Sequence, residues 1–270
     1  MRNLLPILAG ARLHLGLSRG GLSLVHRPDG WRRKATPLLD LPGDVGGPDL
    51  SARLAPTLGG GRFAGLPLAV ALGDDCVRLF MVPPPRNAVS LQDVRAAAAM
   101  RFNTLYGDDP TAWRIGCAAA SDRPFLACAL PAVLASSVQA AARDHRLRLV
   151  SLAPTFVLAW NRLHRRLGKA WLGVVQGGQI TLGCTSGNDL VAVHRAPLAN
   201  MRLREMVRTV ALRYGLDEPA ELKLFGGAVP GLVPPATLDG LTITRIDPPR
   251  RRRFGGDLFL PLIGERPSAG

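Results

Sequence analysis

The chain has 270 residues, 47% hydrophobic and 20% charged, the make-up of a folded globular protein with room for a large core or two lobes. Its 34 basic residues outnumber 20 acidic ones, for a formal net charge of +14, yet only Lys34, Lys169 and Lys223 are lysine. No apolar run approaches the roughly 18–20 residues of a membrane span, and no Cys or His spacing suits zinc.

The charge invites a nucleic-acid reading that the sequence does not support. The arginines are scattered apart from Arg250–Arg253, and no basic stretch alternates with aromatic residues suited to stacking bases. An arginine skew alongside abundant Ala, Gly and Pro fits GC-rich coding. An acidic protein partner or an anionic membrane surface accounts for the charge equally well. Cys76, Cys117, Cys128 and Cys184 form no C-x-x-C pair and lie in apolar runs, which reads as buried free thiols in a reducing compartment. The segment Met1–Ala11 superficially resembles a signal peptide, but Arg12 ends its apolar core and export is not expected.

In chain order, Leu13–Leu17 and Leu22–His26 read as strands joined by Ser18-Arg19-Gly20-Gly21, a hairpin with glycines in the turn. Trp31–Leu39 is expected to supply a third strand, followed by a loop over 40–48. Leu50–Leu58 reads as a short helix stopped by Gly59–Gly61. Pro67–Leu72 and Val77–Val82 read as a strand pair around Gly73-Asp74-Asp75. The next helix starts with Ser90 as N-cap and Asp93 three residues on, a capping box, with Leu91, Val94, Ala98 and Phe102 as its buried stripe. Trp113–Ala118 and Phe125–Leu130 follow as strands. Ala132–His145 is helical with Val133, Leu134, Val138, Ala141 and Ala142 inward, Leu147–Leu152 is a strand, and Thr155–Leu167 is a helix closed by Gly168.

The stretch Ala170–Gly231 organises the rest. Trp171–Val175, Ile180–Leu182 and Leu190–Val193 are strand-like runs, the first two separated by Gln176-Gly177-Gly178-Gln179. Leu203, Met206, Val207, Val210, Ala211 and Tyr214 then repeat at helical spacing, and Gly215 sits where a left-handed C-cap belongs. Leu222–Phe225 is a further strand, ending in Gly226-Gly227-Ala228-Val229-Pro230-Gly231. Beyond it, Pro234–Leu238 reads as a short helix and Leu241–Ile246 as a strand; the tail from Pro248 is rich in Pro, Gly and Arg. Two glycine-turned hairpins, each opening an α/β segment, imply a two-lobed α/β protein with related halves.

On those features the sequence resembles the actin-like fold family, in particular the PilM-like platform proteins of type IV pili and the GspL-type platform proteins of type II secretion. The matching features are Leu15–Val25, the passage from Phe80-Met-Val-Pro-Pro-Pro to Ser90-Leu-Gln-Asp-Val94, Leu130-Pro-Ala-Val133, the second hairpin, and Phe225–Gly231. The resemblance implies a duplicated, ribonuclease H-like fold. One lobe would span 1–168 with an inserted subdomain at about 74–120, the second 169–248, and a basic tail 249–270. Nucleotide-using members carry an Asp-x-Gly turn in each hairpin. Here the corresponding positions hold Gly16 and Ser18, then Val175, Gln176 and Gly177, so no magnesium ligand is evident and the nucleotide site reads as degenerate.

What remains of that site, by resemblance, is Ser18, Gly20, Gly21, Gly177, Gly178, Gly226 and Gly227. Their backbone amides could cradle a weakly held ATP, although as residues they read first as plain turn formers. No catalytic residue, no metal and no required cofactor are expected. Asp74-Asp75 and Asp108-Asp109 read as ordinary turn carboxylates. The resemblance implies a non-enzymatic cytoplasmic scaffold, peripheral to the inner membrane. It would bind a cytoplasmic segment of a membrane-anchored pilus or secretion protein, with a homo-oligomer as a further partner state. An active nucleotide-dependent kinase or ATPase of the same superfamily and a basic nucleic-acid-binding protein are the alternatives.

Overall fold

A computed structural model describes residues 11–29, 34–43, 49–85, 90–117, 123–187, 189–198 and 202–246. The first half holds β1 (Arg12–Ser18), β2 (Gly21–Arg27), β3 (Thr36–Pro42), α1 (Leu50–Leu58), β4 (Pro67–Leu72), β5 (Arg78–Val82), α2 (Leu91–Tyr106), β6 (Trp113–Cys117), β7 (Phe125–Pro131), α3 (Ala132–Asp144) and β8 (Arg148–Pro154). The second holds α4 (Thr155–Leu163), β9 (Trp171–Gln176), β10 (Gln179–Ser186), β11 (Asp189–Pro197), α5 (Leu203–Tyr214), β12 (Glu221–Gly226), β13 (Ala236–Leu238) and β14 (Leu241–Arg245).

Two sheets share one topology. The first runs β3-β2-β1-β4-β8 and the second β11-β10-β9-β12-β14, with β13 added at its edge. In each, three strands meander antiparallel and two more join in parallel on the far side. The parallel joins need crossovers, supplied in part by α1 in the first half and α5 in the second. This is the duplicated two-lobed α/β architecture that the paired hairpins imply. A third sheet, β5-β7-β6, is separate and carries α2 on it.

Burial follows the amphipathic stripes. Leu13, Leu15 and Leu17 alternate into a core shared with Leu50, Leu54 and Leu58 of α1 and Val138 of α3. On the second sheet, Trp171, Ile180, Leu182 and Leu222 pack on Met206, Val207 and Val210 of α5. Between the two lies α4: Phe156, Ala159 and Leu163 meet Ala71 on the first sheet and Leu172, Val174 and Phe225 on the second. The two halves are thus joined by a shared apolar layer. On the third sheet Phe80 and Phe102 are buried, and the Arg78 guanidinium lies 4.4 Å from the Tyr106 ring centre and 4.5 Å from that of Trp113.

The helix ends follow their local signals. Ser90 and Asp93 exchange the two hydrogen bonds of a capping box, and Gly107 and Gly215 close α2 and α5 in left-handed conformation. Several expectations change. β4 and β5 are not partners, because β5 leaves the first sheet and pairs with β7. Of the expected third strand, 31–33 lie outside the described residues; Lys34 and Ala35 precede the strand, which runs Thr36–Pro42 and ends inside the expected loop. Residues 236–238 form a strand, not a helix, completing a hairpin with β14 through Asp239-Gly240. α4 stops at Leu163 and passes through one 3₁₀ turn before Gly168. Leu91 and Val133, expected inward, are 48% and 67% exposed. Both lie in the first turn of a helix, where a side chain leans back past the helix end instead of onto a preceding turn. The tail lies outside the described residues.

Phe156 is fully buried in the layer between the lobes, and its ring packs on the bare backbone of Gly183. Phe156→Ala should cost about 3–5 kcal/mol, read from chemical denaturation, with one cooperative transition lost or split because the layer joins both halves.

Candidate functional site

The two sheets meet at the end of β4. Gly73 follows that strand, and its amide donates to the Leu17 carbonyl at 2.6 Å. A side chain there would collide with Ser18 and Asp75, so only glycine lets the chain turn so close to the first hairpin. One 3₁₀ turn, Asp74–Cys76, follows. Its two carboxylates point to different partners. The Asp75 Oδ2 accepts from the Arg19 amide of the first hairpin at 2.9 Å. Asp74 is only 6% exposed and reaches into the second half.

Asp74 Oδ1 accepts from the Phe156 amide at 2.9 Å, an unsatisfied donor of the first turn of α4, where the helix dipole favours an anion. The Thr181 hydroxyl of β10 also bonds the Asp74 side chain. Arg195 of β11 donates through Nη1 to the Asp74 backbone carbonyl. Beside them the Thr155 hydroxyl donates to the Leu72 carbonyl at 2.9 Å. Burial raises the Asp74 pKa to about 6; the Phe156 amide, Thr181 and the Arg195 charge pull it down, and Asp75 pushes it up.

The residues expected to form a vestigial nucleotide site fall in two places. Ser18, Gly20 and Gly21 form the β1–β2 turn, where the Ser18 hydroxyl donates to the Gly21 carbonyl at 3.3 Å. Gly177 and Gly178 form the β9–β10 turn, both at positive φ and with open space around them, as turn formers. Gly226, at φ 100°, presses on the Val175 carbonyl with no room for a side chain. The Gly227 amide donates to that same carbonyl at 2.9 Å. The second hairpin and the glycine loop are therefore neighbours, while the first hairpin is tied to Asp75.

Where the halves approach, Asp74, Asp75, Gln176, Gln179, Thr181 and Arg195 enclose about 10 Å³, room for about one water molecule. Asp74, Thr181 and Arg195 are absent from the sequence-derived site, and Asp74 is not the solvated turn residue expected of it. One signal was available: two adjacent carboxylates directly after a parallel strand sit where ligand sites of open α/β sheets lie. Among the described residues no group of His, Cys, Asp and Glu could hold a metal ion. The four cysteines are free thiols, and burial pushes Cys128 and Cys184 up to about 12, which makes them poor nucleophiles at neutral pH.

No family model matches the sequence, and no curated protein matches it. Solved structures do. A Bacteroides thetaiotaomicron protein with an actin-like ATPase fold and unknown function aligns at TM-score 0.54 and 13% identity, over 82% of this chain and 84% of that one. The cytoplasmic domain of EpsL, an inner membrane component of the type II secretion system of Vibrio cholerae, aligns at TM-score 0.59 and 8% identity, over 95% of this chain and 96% of that domain. The PilM–PilN type IV pilus biogenesis complex aligns at TM-score 0.49 and 16% identity, over 78% and 67%. The chain has the actin-like fold, and its structural neighbours include type II secretion and type IV pilus components.

The raised pKa fixes the sign of a pH effect. A carboxyl that binds its proton more tightly when folded adds stability below its unfolded value of 3.8, and that stability is lost as pH rises through about 6. Asp74→Asn keeps an acceptor for the Phe156 amide and removes the buried charge. It should match the wild type near pH 4 and exceed it in urea stability above pH 6, by an amount on the order of 3 kcal/mol at most.

Proposed function

We propose that the chain is a non-enzymatic platform component of a type II secretion or type IV pilus assembly. It would work at the cytoplasmic face of the inner membrane by holding a cytoplasmic segment of a membrane-anchored partner. The observation that carries the reading is the end-to-end alignment with the EpsL cytoplasmic domain, 95% of one chain against 96% of the other. Among the described residues no helix is long and apolar enough to cross a membrane, which leaves strand-built barrels untouched; the partner supplies the anchor on this reading.

A scaffold role draws support from the donor set at the lobe junction. The residues there do not fit a nucleotide. The Arg19 amide of the first hairpin, which would face a phosphate, is held by the Asp75 carboxylate, and the Gly227 amide is held by Val175. Two carboxylates stand where phosphate oxygens would be repelled. The enclosed 10 Å³ compares with the roughly 300 Å³ or more of a small-molecule site.

The test is affinity capture with the purified chain from detergent-solubilised, nuclease-treated membranes of the native host, with mass spectrometry of what is retained. Specific recovery of a single-span secretion or pilus protein is expected. Recovery of nucleic-acid-associated proteins alone would contradict the platform reading, and measurable Mg-ATP turnover by the same preparation would contradict its non-enzymatic part.

A further inference from the structure

One end of the first sheet is cationic, and the register shows why. Arg12 pairs with Arg27, His26 with Thr36, Leu13 with Leu68 and Pro67 with Arg148. The outer ends of all five strands therefore lie in one row, opposite the lobe junction. The residues after α1 and α3 reach the same row. The Gly65 amide donates to the Arg146 carbonyl at 2.7 Å, and Arg148 Nε donates to the Gly65 carbonyl at 3.1 Å. The Arg62 guanidinium lies 5.2 Å from the Phe63 ring centre, and Phe63 packs on His26 at 5.3 Å.

The strand ends and the segment after α1 bring Arg12, Arg27, Lys34 and Arg62 to this row. The segment closing α3 adds Arg143, Arg146 and Arg148. The same segments offer only two carboxylates, Asp29 and Asp144. Arg12, Arg62, Arg143, Arg146 and Arg148 form no ion pair with described residues. Burial, and then the charge of Arg27, lowers the Arg12 pKa; burial and then Arg62 lower that of His26; burial, then Arg12 and Arg27, lower that of His14 to about 4. Clustered like charge that outnumbers its carboxylates costs stability, which an external anionic surface would return.

We propose that this end of the first lobe is a docking face for an anionic lipid bilayer, with the row of guanidiniums set against lipid phosphates. Two observations favour a bilayer over a nucleic acid. Among the described residues, the Phe63 ring of this row is buried, so it offers no face for stacking bases. In sequence, Arg12 is preceded by Met-Arg-Asn-Leu-Leu-Pro-Ile-Leu-Ala-Gly-Ala, and an apolar run continuous in sequence with a cationic strand end suits hydrocarbon under anionic headgroups. The proposal stands whether or not the platform reading holds.

The test is co-sedimentation of the full chain with extruded vesicles of phosphatidylcholine alone or with about one-third phosphatidylglycerol. Binding is expected only to the anionic vesicles, falling with salt. Arg62→Glu with Arg143→Glu should weaken it at least about tenfold, and Lys34→Glu with Arg143→Glu serves equally should the first pair fail to fold. Arg95→Glu with Arg202→Glu changes the net charge identically at two exposed positions away from this row; this pair should bind like the wild type. The proposal is overturned by equal binding to both vesicles or none, by equal loss in the second charge pair, or by duplex DNA taking the protein from anionic vesicles with the same dependence on this row.

Discussion

Much of the structure hangs on a carboxylate that is out of water. Asp74 is attached to the first sheet and bonded to the second, through the Phe156 amide at the start of α4 and the hydroxyl of Thr181. A buried charge of this kind costs free energy unless its partners are in place, so one lobe arrangement satisfies it and looser ones do not. The apolar layer of α4 supplies attraction between the halves without direction; the carboxylate supplies direction. With both in place, the Arg19 and Phe156 amides are each held by a carboxylate of the chain itself.

Elements with strong punctuation were legible in the sequence. Ser90 and Asp93 gave the start of α2, Gly215 the end of α5, and the glycine turns gave both hairpins. Elements whose partner lies far away were less so. Val77–Val82 looked like the partner of the preceding strand because a tight turn joins them, but its apolar face belongs to Phe102 and Phe125 of a separate sheet. Pro234–Leu238 carries no period long enough to separate helix from strand, and pairing with β14 decides it.

The site was legible only in outline. Glycines mark turns wherever they occur, so selecting Gly177, Gly178, Gly226 and Gly227 located the ends of β9 and β12 correctly but not the chemistry between them. That chemistry comes from Asp74 and Arg195, which are 121 residues apart. The local cue, two carboxylates directly after a strand, does not say that a second lobe will cover one of them. The cationic end of the first lobe was hidden for a similar reason. Arg12, Arg27, Arg62 and Arg148 are dispersed in sequence and become one row only through strand register.

Hydrogen exchange at three backbone amides, with and without Mg-ATP, tests most directly whether the chain has filled its own cleft. The Arg19, Phe156 and Gly227 amides are donated to Asp75, Asp74 and Val175. Slow exchange at all three without nucleotide, unchanged by millimolar Mg-ATP, is the expected result. Fast exchange that slows when Mg-ATP is added would show a cleft that opens to receive a nucleotide, and would contradict the account.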